Sequence, residues 1–467
     1  MRSKEARTMI STHNPATGQK LADYEELTKD GIEDALVRAD TAYRSWRETG
    51  LDERCALLEK LAETYEANAD RLARMCTKEM GKTLSSATAE VHKCATAFRH
   101  FAQEGPAMLD DITWQLGGGG TATGRWLPQG AVLAVMPWNF PYWQAVRFLA
   151  PTILAGNVGL LKHASSVQGC GALMEEMMVE AGAPDGLFQN LPIKSDAVAD
   201  ILADRRVVAA TLTGSEGAGR AVAEQAGKHL KKVVLELGGS DPFIVMPSAD
   251  LDDAVEQAVQ ARIQNTGQSC ICGKRMIVHT DIYDSFMAKF TGAMQAVTTG
   301  DPYDDATDMG PLSSFEQRET VLDQIAKAQD EGAKLEFGGE ALDAGAHAGG
   351  AYISAGVLTG IDLDGPMAKE EIFGPIAMVF RAEDIDHAIA LANNIPFGLG
   401  SAVFTQDEVE QERFIRDIEA GMTAINQMLS SSAEAPFGGI KNSGHGRELA
   451  QFGLHTFMNL KTVMRLG

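Results

Sequence analysis

Between residues 131 and 237, short apolar runs alternate with helical patterns, and this alternation restricts the chain more than any other feature. The runs cover 131–135, 158–161, 207–212 and 233–237, with helical patterns from Pro141, near Ala172 and after Ser215. Strands that are apolar throughout and separated by helices imply βαβ units and a mainly parallel sheet. Ligands of such sheets gather at the carboxyl ends of the strands. A second alternating block begins at 242–245, passes through a helix over 252–264 and ends near Asn426. The fold class expected is α/β with two domains, and 467 residues exceed what one core normally holds.

Outside these blocks, residues 31–105 space their apolar side chains for covering helices. Four glycines, Gly117 to Gly120, sit between β-type residues and predict a hairpin that the segment 456–464 could join. Gly81-Lys82-Thr83 resembles the end of a phosphate-binding loop, but Cys76 stands where its first glycine belongs, so a helix connection is expected. The dinucleotide fingerprint GxGxxG after a strand is missing.

Charge narrows the partners. With 41 basic and 64 acidic side chains the net charge is −23, which repels nucleic acid and anionic membrane surfaces. Any site for an anion must be locally basic. The first residues lack the apolar run of a secretory signal and no window spans a membrane, so a cytoplasmic protein is expected. Cysteines 55, 76, 94, 170, 270 and 272 lack metal-ligand spacing, so no metal and no disulfide framework is expected.

Chemistry concentrates in a few segments. QNTGQSC places Cys270 after a helix and a glycine-containing turn, where a thiol can face a cleft. LELGGSDP ends a strand with Glu236, and MPWNFPYW does the same with Asn139, which could also cap the next helix. Together PWNFP, LELGGSDP, QNTGQSC, EEIFGP and PFGGIKNSGHGRE, in this order over nearly the whole chain, resemble the aldehyde dehydrogenase superfamily.

That resemblance implies two Rossmann-like domains and a small β oligomerisation arm. Residues 1–110 and 126–236 would bind cofactor, with 427–442 returning to them; 237–426 would carry the nucleophile; 111–125 and 443–467 would form the arm of a homodimer or homotetramer. It also implies that Cys270 attacks an aldehyde, that Asn139 and the Cys270 backbone N–H hold the oxyanion, and that Glu236 activates the water releasing the acid. Relatives that transfer the acyl group to coenzyme A usually lack this glutamate, so hydrolysis is expected. The implied cofactor contacts are Trp138, Lys162, Ser165, Gly214, Ser215, Leu237, Glu371 and Phe373.

NAD-preferring relatives carry a glutamate three residues after the lysine, whereas this chain has Ser165 after Lys162. A neutral hydroxyl beside an ammonium suits a 2′-phosphate, which favours NADP over NAD. Among the aldehydes, Arg147 and its surroundings look closest to succinate-semialdehyde dehydrogenases, where an arginine holds the distal carboxylate. Gln264 stands where some of these enzymes have a second arginine, so Ser269 or a loop residue near Ser430 could contribute. Other short ω-carboxy aldehydes, neutral aldehydes and a non-catalytic protein on this scaffold are the alternatives. Cys272 is either a packing residue or the partner of Cys270 in an oxidation switch.

Overall fold

A computed structural model of the chain describes residues 8–466. Its first sheet has six strands in the order Gly444–His445, Lys232–Glu236, Val207–Thr213, Ala131–Met136, Val158–His163 and Phe188–Asn190. Only the first of these strands is antiparallel to its neighbour. The expected strands are present, and the order reverses direction around Ala131–Met136, which opens a crevice at the carboxyl ends. Its walls are the segments that follow Met136, His163, Thr213 and Glu236.

The helix Trp143–Ala155 is buried along its entire length, which explains why its sequence lacks a polar face. Of four covering helices, Lys29–Trp46, Leu51–Ala67, Ala69–Met80 and Leu84–Met108, the second and fourth pack over it. Gly81 ends the third of them at φ +92°, where a Cβ would meet Pro15 and Pro311 at 2.8 and 2.9 Å. The GKT segment is therefore a helix connection. Its Lys82 is buried against Glu90, with Nζ 2.5 Å from Oε2.

The second sheet has seven strands in the order Lys334–Phe337, Gly356–Thr359, Ile376–Ala382, Gly273–His279, Asp241–Val245, Ala402–Phe404 and Ala424–Ile425. All but the first pairing are parallel. The arm is a third, antiparallel sheet in which Met458–Arg465 pairs with Thr121–Pro128 from Met458↔Pro128 to Arg465↔Thr121, beside Ile112–Gln115. Its central strand runs past residue 125. The start of the C-terminal segment lies outside it: Gly444–His445 pairs with Glu236 and Leu235, and Ala450–Thr456 is a helix on the first domain.

Candidate active site

The two sheets meet at a pocket of about 290 Å³ whose lining includes Trp138, Asn139, Thr213, Ser215, Glu236, Cys270, Glu371 and Phe373. Each wall has a structural cause. Asn139 follows the strand Ala131–Met136, and the next helix is not capped by it. The Glu90 carboxylate does that work, accepting from the Tyr142 and Trp143 backbone N–H groups at 2.8 and 2.9 Å. The Asn139 amide is thereby left to the pocket. Its Nδ2 donates one hydrogen to the Gln268 carbonyl at 3.1 Å, and Oδ1 is buried without a partner.

Cys270 is carried by a contorted loop. Asn265, Thr266 and Gly267 follow one another at φ +55°, +57° and +72°. Left-handed backbone costs on the order of 1–2 kcal/mol for each residue with a Cβ, so it persists only where contacts impose it. Here Asn265 Nδ2 donates to the Asn139 carbonyl at 2.8 Å, and Thr266 Oγ1 donates to the Gly310 carbonyl at 3.3 Å. Gln268 Oε1 accepts from the Ser313 N–H at 2.9 Å. The buried Arg262 guanidinium donates to the carbonyls of Gly267 and Gly374 at 2.8 and 2.7 Å. A Cβ at Gly267 would run into the Gly374 backbone. Three of the sequence motifs are thus tied together around one thiol.

Burial favours the neutral forms of the two groups facing the pocket. Burial pushes the Cys270 thiol up to about 12, while Arg147 and then Lys274 pull the other way. Glu236 is 2% exposed, and neither carboxyl oxygen has a partner. Burial first, and Glu448 second, hold it well above the ordinary carboxylate range, against the pull of Arg147. The candidate nucleophile and the candidate base thus face the same pocket, each shifted by burial towards its protonated form.

The residues expected to hold a cofactor fall along the crevice in the order set by the strands. Ser165 and Lys162 lie at the end of Val158–His163; Trp138 follows the next strand; Gly214 and Ser215 follow Val207–Thr213; Leu237 follows Lys232–Glu236. Ser215 caps the helix Glu216–Lys228, its Oγ accepting from the Ala218 N–H at 3.4 Å, so that helix points its positive end into the pocket. Phe373 meets Trp138 edge to face at 5.8 Å. Lys162 is 8% exposed and makes no ion pair among the described residues; burial alone lowers its pKa.

Two expectations change. Arg147 does not line the pocket: its Nε lies 2.8 Å from Glu448 Oε2, its Nη2 donates to Thr213 Oγ1 at 3.4 Å, and its guanidinium stacks 4.4 Å over Phe437. Its neighbour Thr213 is the group that faces the pocket. Ser269 is also buried off the pocket lining, its carbonyl accepting from Lys274 Nζ at 2.7 Å. Cys272 is fully buried, its thiol 3.7 Å from the Gln264 carbonyl.

Lys274 escaped the sequence reading. Fully buried, it donates also to the Cys270 carbonyl at 2.8 Å and pairs with Glu371 at 3.1 Å, joining the thiol loop to the EEIFGP segment. Its position four residues after the nucleophile was the only signal available.

The chain as a whole is similar to known proteins. Succinate-semialdehyde dehydrogenase [NADP(+)] 1 of Mycobacterium tuberculosis is 50% identical over 456 residues, 97% of this chain and 99% of that protein. The NADP(+) succinate-semialdehyde dehydrogenase of Mycobacterium avium is 50% identical over 457 residues, 97% and 96% of the two chains. The crystal structure of succinic semialdehyde dehydrogenase from Streptococcus pyogenes with NADP+ superimposes with a TM-score of 0.95 at 38% identity, covering 98% of this chain and all of that one. Residues 1–463 match the model of the Aldehyde dehydrogenase family, and the chain belongs to that family.

Proposed function

We propose that this chain oxidises succinate semialdehyde to succinate with NADP as the hydride acceptor. The observation that carries the reaction class is the convergence of Cys270, Asn139 and Glu236 on one pocket. The substrate and cofactor follow from the activity named for relatives that are 50% identical across almost the whole chain.

The crevice fits the cofactor. The Lys162 ammonium is buried and makes no ion pair among the described residues, as suits a 2′-phosphate, and the positive helix end at Ser215 suits the pyrophosphate. No carboxylate stands at position 165 to repel the phosphate. When bound, NADP supplies the acceptor for the hydride that leaves the substrate carbon.

This chain's residues do the rest. Deprotonated Cys270 attacks the aldehyde carbon, and the oxygen gains charge where the second Asn139 N–H and the Cys270 backbone N–H can donate to it. One such donor typically contributes about 3 kcal/mol. Glu236 serves as the base: it receives a proton from the attacking water, and the thioester on Cys270 is hydrolysed to free acid and thiol. Burial shifts both groups towards their protonated forms, so activity is expected to rise with pH as they deprotonate. The substitution Glu236→Gln is expected to leave acyl-enzyme, detectable by mass spectrometry of the intact protein.

The direct test follows reduced cofactor with succinate semialdehyde and either NADP or NAD. Turnover with NADP that disappears in Cys270→Ala is the expected result; a higher kcat/KM with NAD overturns the cofactor choice. No turnover by the unaltered protein overturns the substrate.

We also assign it to the cytoplasm as a homodimer or homotetramer. The support is the arm, which exposes Ile112, Trp114, Leu460 and Met464, while no described helix is long and apolar enough to cross a membrane.

A further inference from the structure

A backbone N–H can serve as an oxyanion donor only if its peptide plane is held still. Cys270 lies in a turn, outside any helix or strand, and its N–H donates to no group among the described residues. That N–H belongs to the same planar, trans peptide unit as the Ser269 carbonyl and points the opposite way. Whatever holds the carbonyl therefore aims the N–H.

Two donors hold it: the Cys272 N–H at 3.2 Å and the Lys274 ammonium at 2.7 Å. The same ammonium donates to the Cys270 carbonyl at 2.8 Å, so it grips the peptide units on both sides of the thiol-bearing residue. Ser269 is buried away from the pocket lining, which leaves the Cys270 N–H turned towards the pocket side.

The position of Lys274 has a local cause. It is the second residue of the strand Gly273–His279. Asp241 pairs with Gly273 and Pro242 with Arg275, so Lys274 falls at an irregularity with no partner in either neighbouring strand. Bulges of this kind re-aim a side chain. The chain here turns a fully buried cation back onto the loop it has just left, and Glu371, 3.1 Å from Nζ, compensates the charge from the pocket wall.

We propose that Lys274 is a positioning residue that aims the Cys270 backbone N–H at the oxyanion. As sulfur bonds to the aldehyde carbon, the carbonyl electron pair moves onto oxygen, and Lys274 keeps its own protons throughout. The oxyanion site is then built from both domains, with Asn139 supplied by the first and the Lys274-held peptide by the second. The inference rests on the proposed role of Cys270 as nucleophile.

The test compares two reactions of one thiol. Attack on an aldehyde puts charge on oxygen, whereas alkylation by iodoacetamide displaces iodide and forms no oxyanion. The quantity read is kcat/KM for succinate semialdehyde at saturating NADP, divided by the alkylation rate constant of Cys270 at the same pH. The Lys274 charge also favours the thiolate, but a change in thiolate fraction moves both rates alike and cancels in the ratio. Removing an oxyanion donor outright costs on the order of a hundredfold to a thousandfold; misdirecting one in Lys274→Met is expected to lower the ratio by roughly tenfold to a hundredfold. Lys274→Gln keeps an uncharged donor and should lower it by about threefold to tenfold, which keeps the test open if Lys274→Met fails to fold. An unchanged ratio in whichever variant folds overturns the positioning role. So does alkylation faster than in the unaltered protein, the mark of a loop merely loosened. If the unaltered protein turns over neither succinate semialdehyde nor butanal while Cys270 is still alkylated, the reaction class fails and the positioning role fails with it.

Discussion

Arg147 and Lys162 are both buried cations beside the catalytic crevice, yet their surroundings differ in kind. Arg147 has a carboxylate, a hydroxyl and an aromatic ring around its guanidinium. Lys162 has no counter-ion among the described residues, and only burial acts on its pKa. A cation whose partner belongs to the chain has its energy spent in folding; one without a partner keeps it for a ligand. Type and position in the sequence do not separate these cases, since each residue sits in an apolar segment near a crevice-forming turn.

The sharpest way to break this contrast is to remove the paired cation. Arg147→Met strands Glu448 as a buried, unpaired charge, and the expected cost is about 3–5 kcal/mol of stability, read as a lower urea midpoint. Adding Glu448→Gln should recover most of it; an unchanged midpoint in the single variant would remove the structural reading of Arg147.

Lys162→Met should instead leave the midpoint within about 0.5 kcal/mol of the original, as a partnerless charge leaves nothing stranded behind it. Its effect belongs to ligand binding: the Kd for NADP should rise roughly tenfold to a hundredfold and that for NAD far less. Equal weakening of the two cofactors, measured by calorimetry, would contradict the phosphate assignment.

The neighbouring His163 supplies a third, weaker case, a buried group that stays neutral. Burial lowers its pKa from 6.5 to about 4, and its Nε2 lies 2.9 Å from the Pro141 carbonyl. The folded state thus holds fewer protons here than the unfolded state. The contribution is complete above pH 6.5 and is lost as pH falls towards 4. By about pH 5.5 the loss should be about 1 kcal/mol, and urea midpoints of His163→Gln should be flatter over that range by this amount.

Much of this was legible in the sequence. Four strands of the first sheet and Asp241–Val245 of the second announced themselves as apolar runs, whereas Gly273–His279 and Lys334–Phe337 did not, because lysine, arginine or glutamate interrupts them; the pairing of the arm followed from β-type residues around a glycine run. The N-terminal hairpin Met9–His13 with Lys20–Glu25 did not, because its second strand is largely exposed and has no apolar face. The proposed nucleophile, base and oxyanion donor were named because each lies within a motif. The cations were not resolved, because their fates depend on contacts far apart in sequence, such as Arg147 with Glu448 and Lys93 with Ser431. A reading by local position has no access to those partners.

The left-handed run before Cys270 has a consequence for how this scaffold can be altered. Its tethers come from Asn139, Gly310, Ser313, Arg262 and Gly374, and none comes from residues 427–437. The aim of the thiol therefore rests on contacts from several segments far apart in the chain. A change at any one of these tethers would re-aim the thiol without touching it.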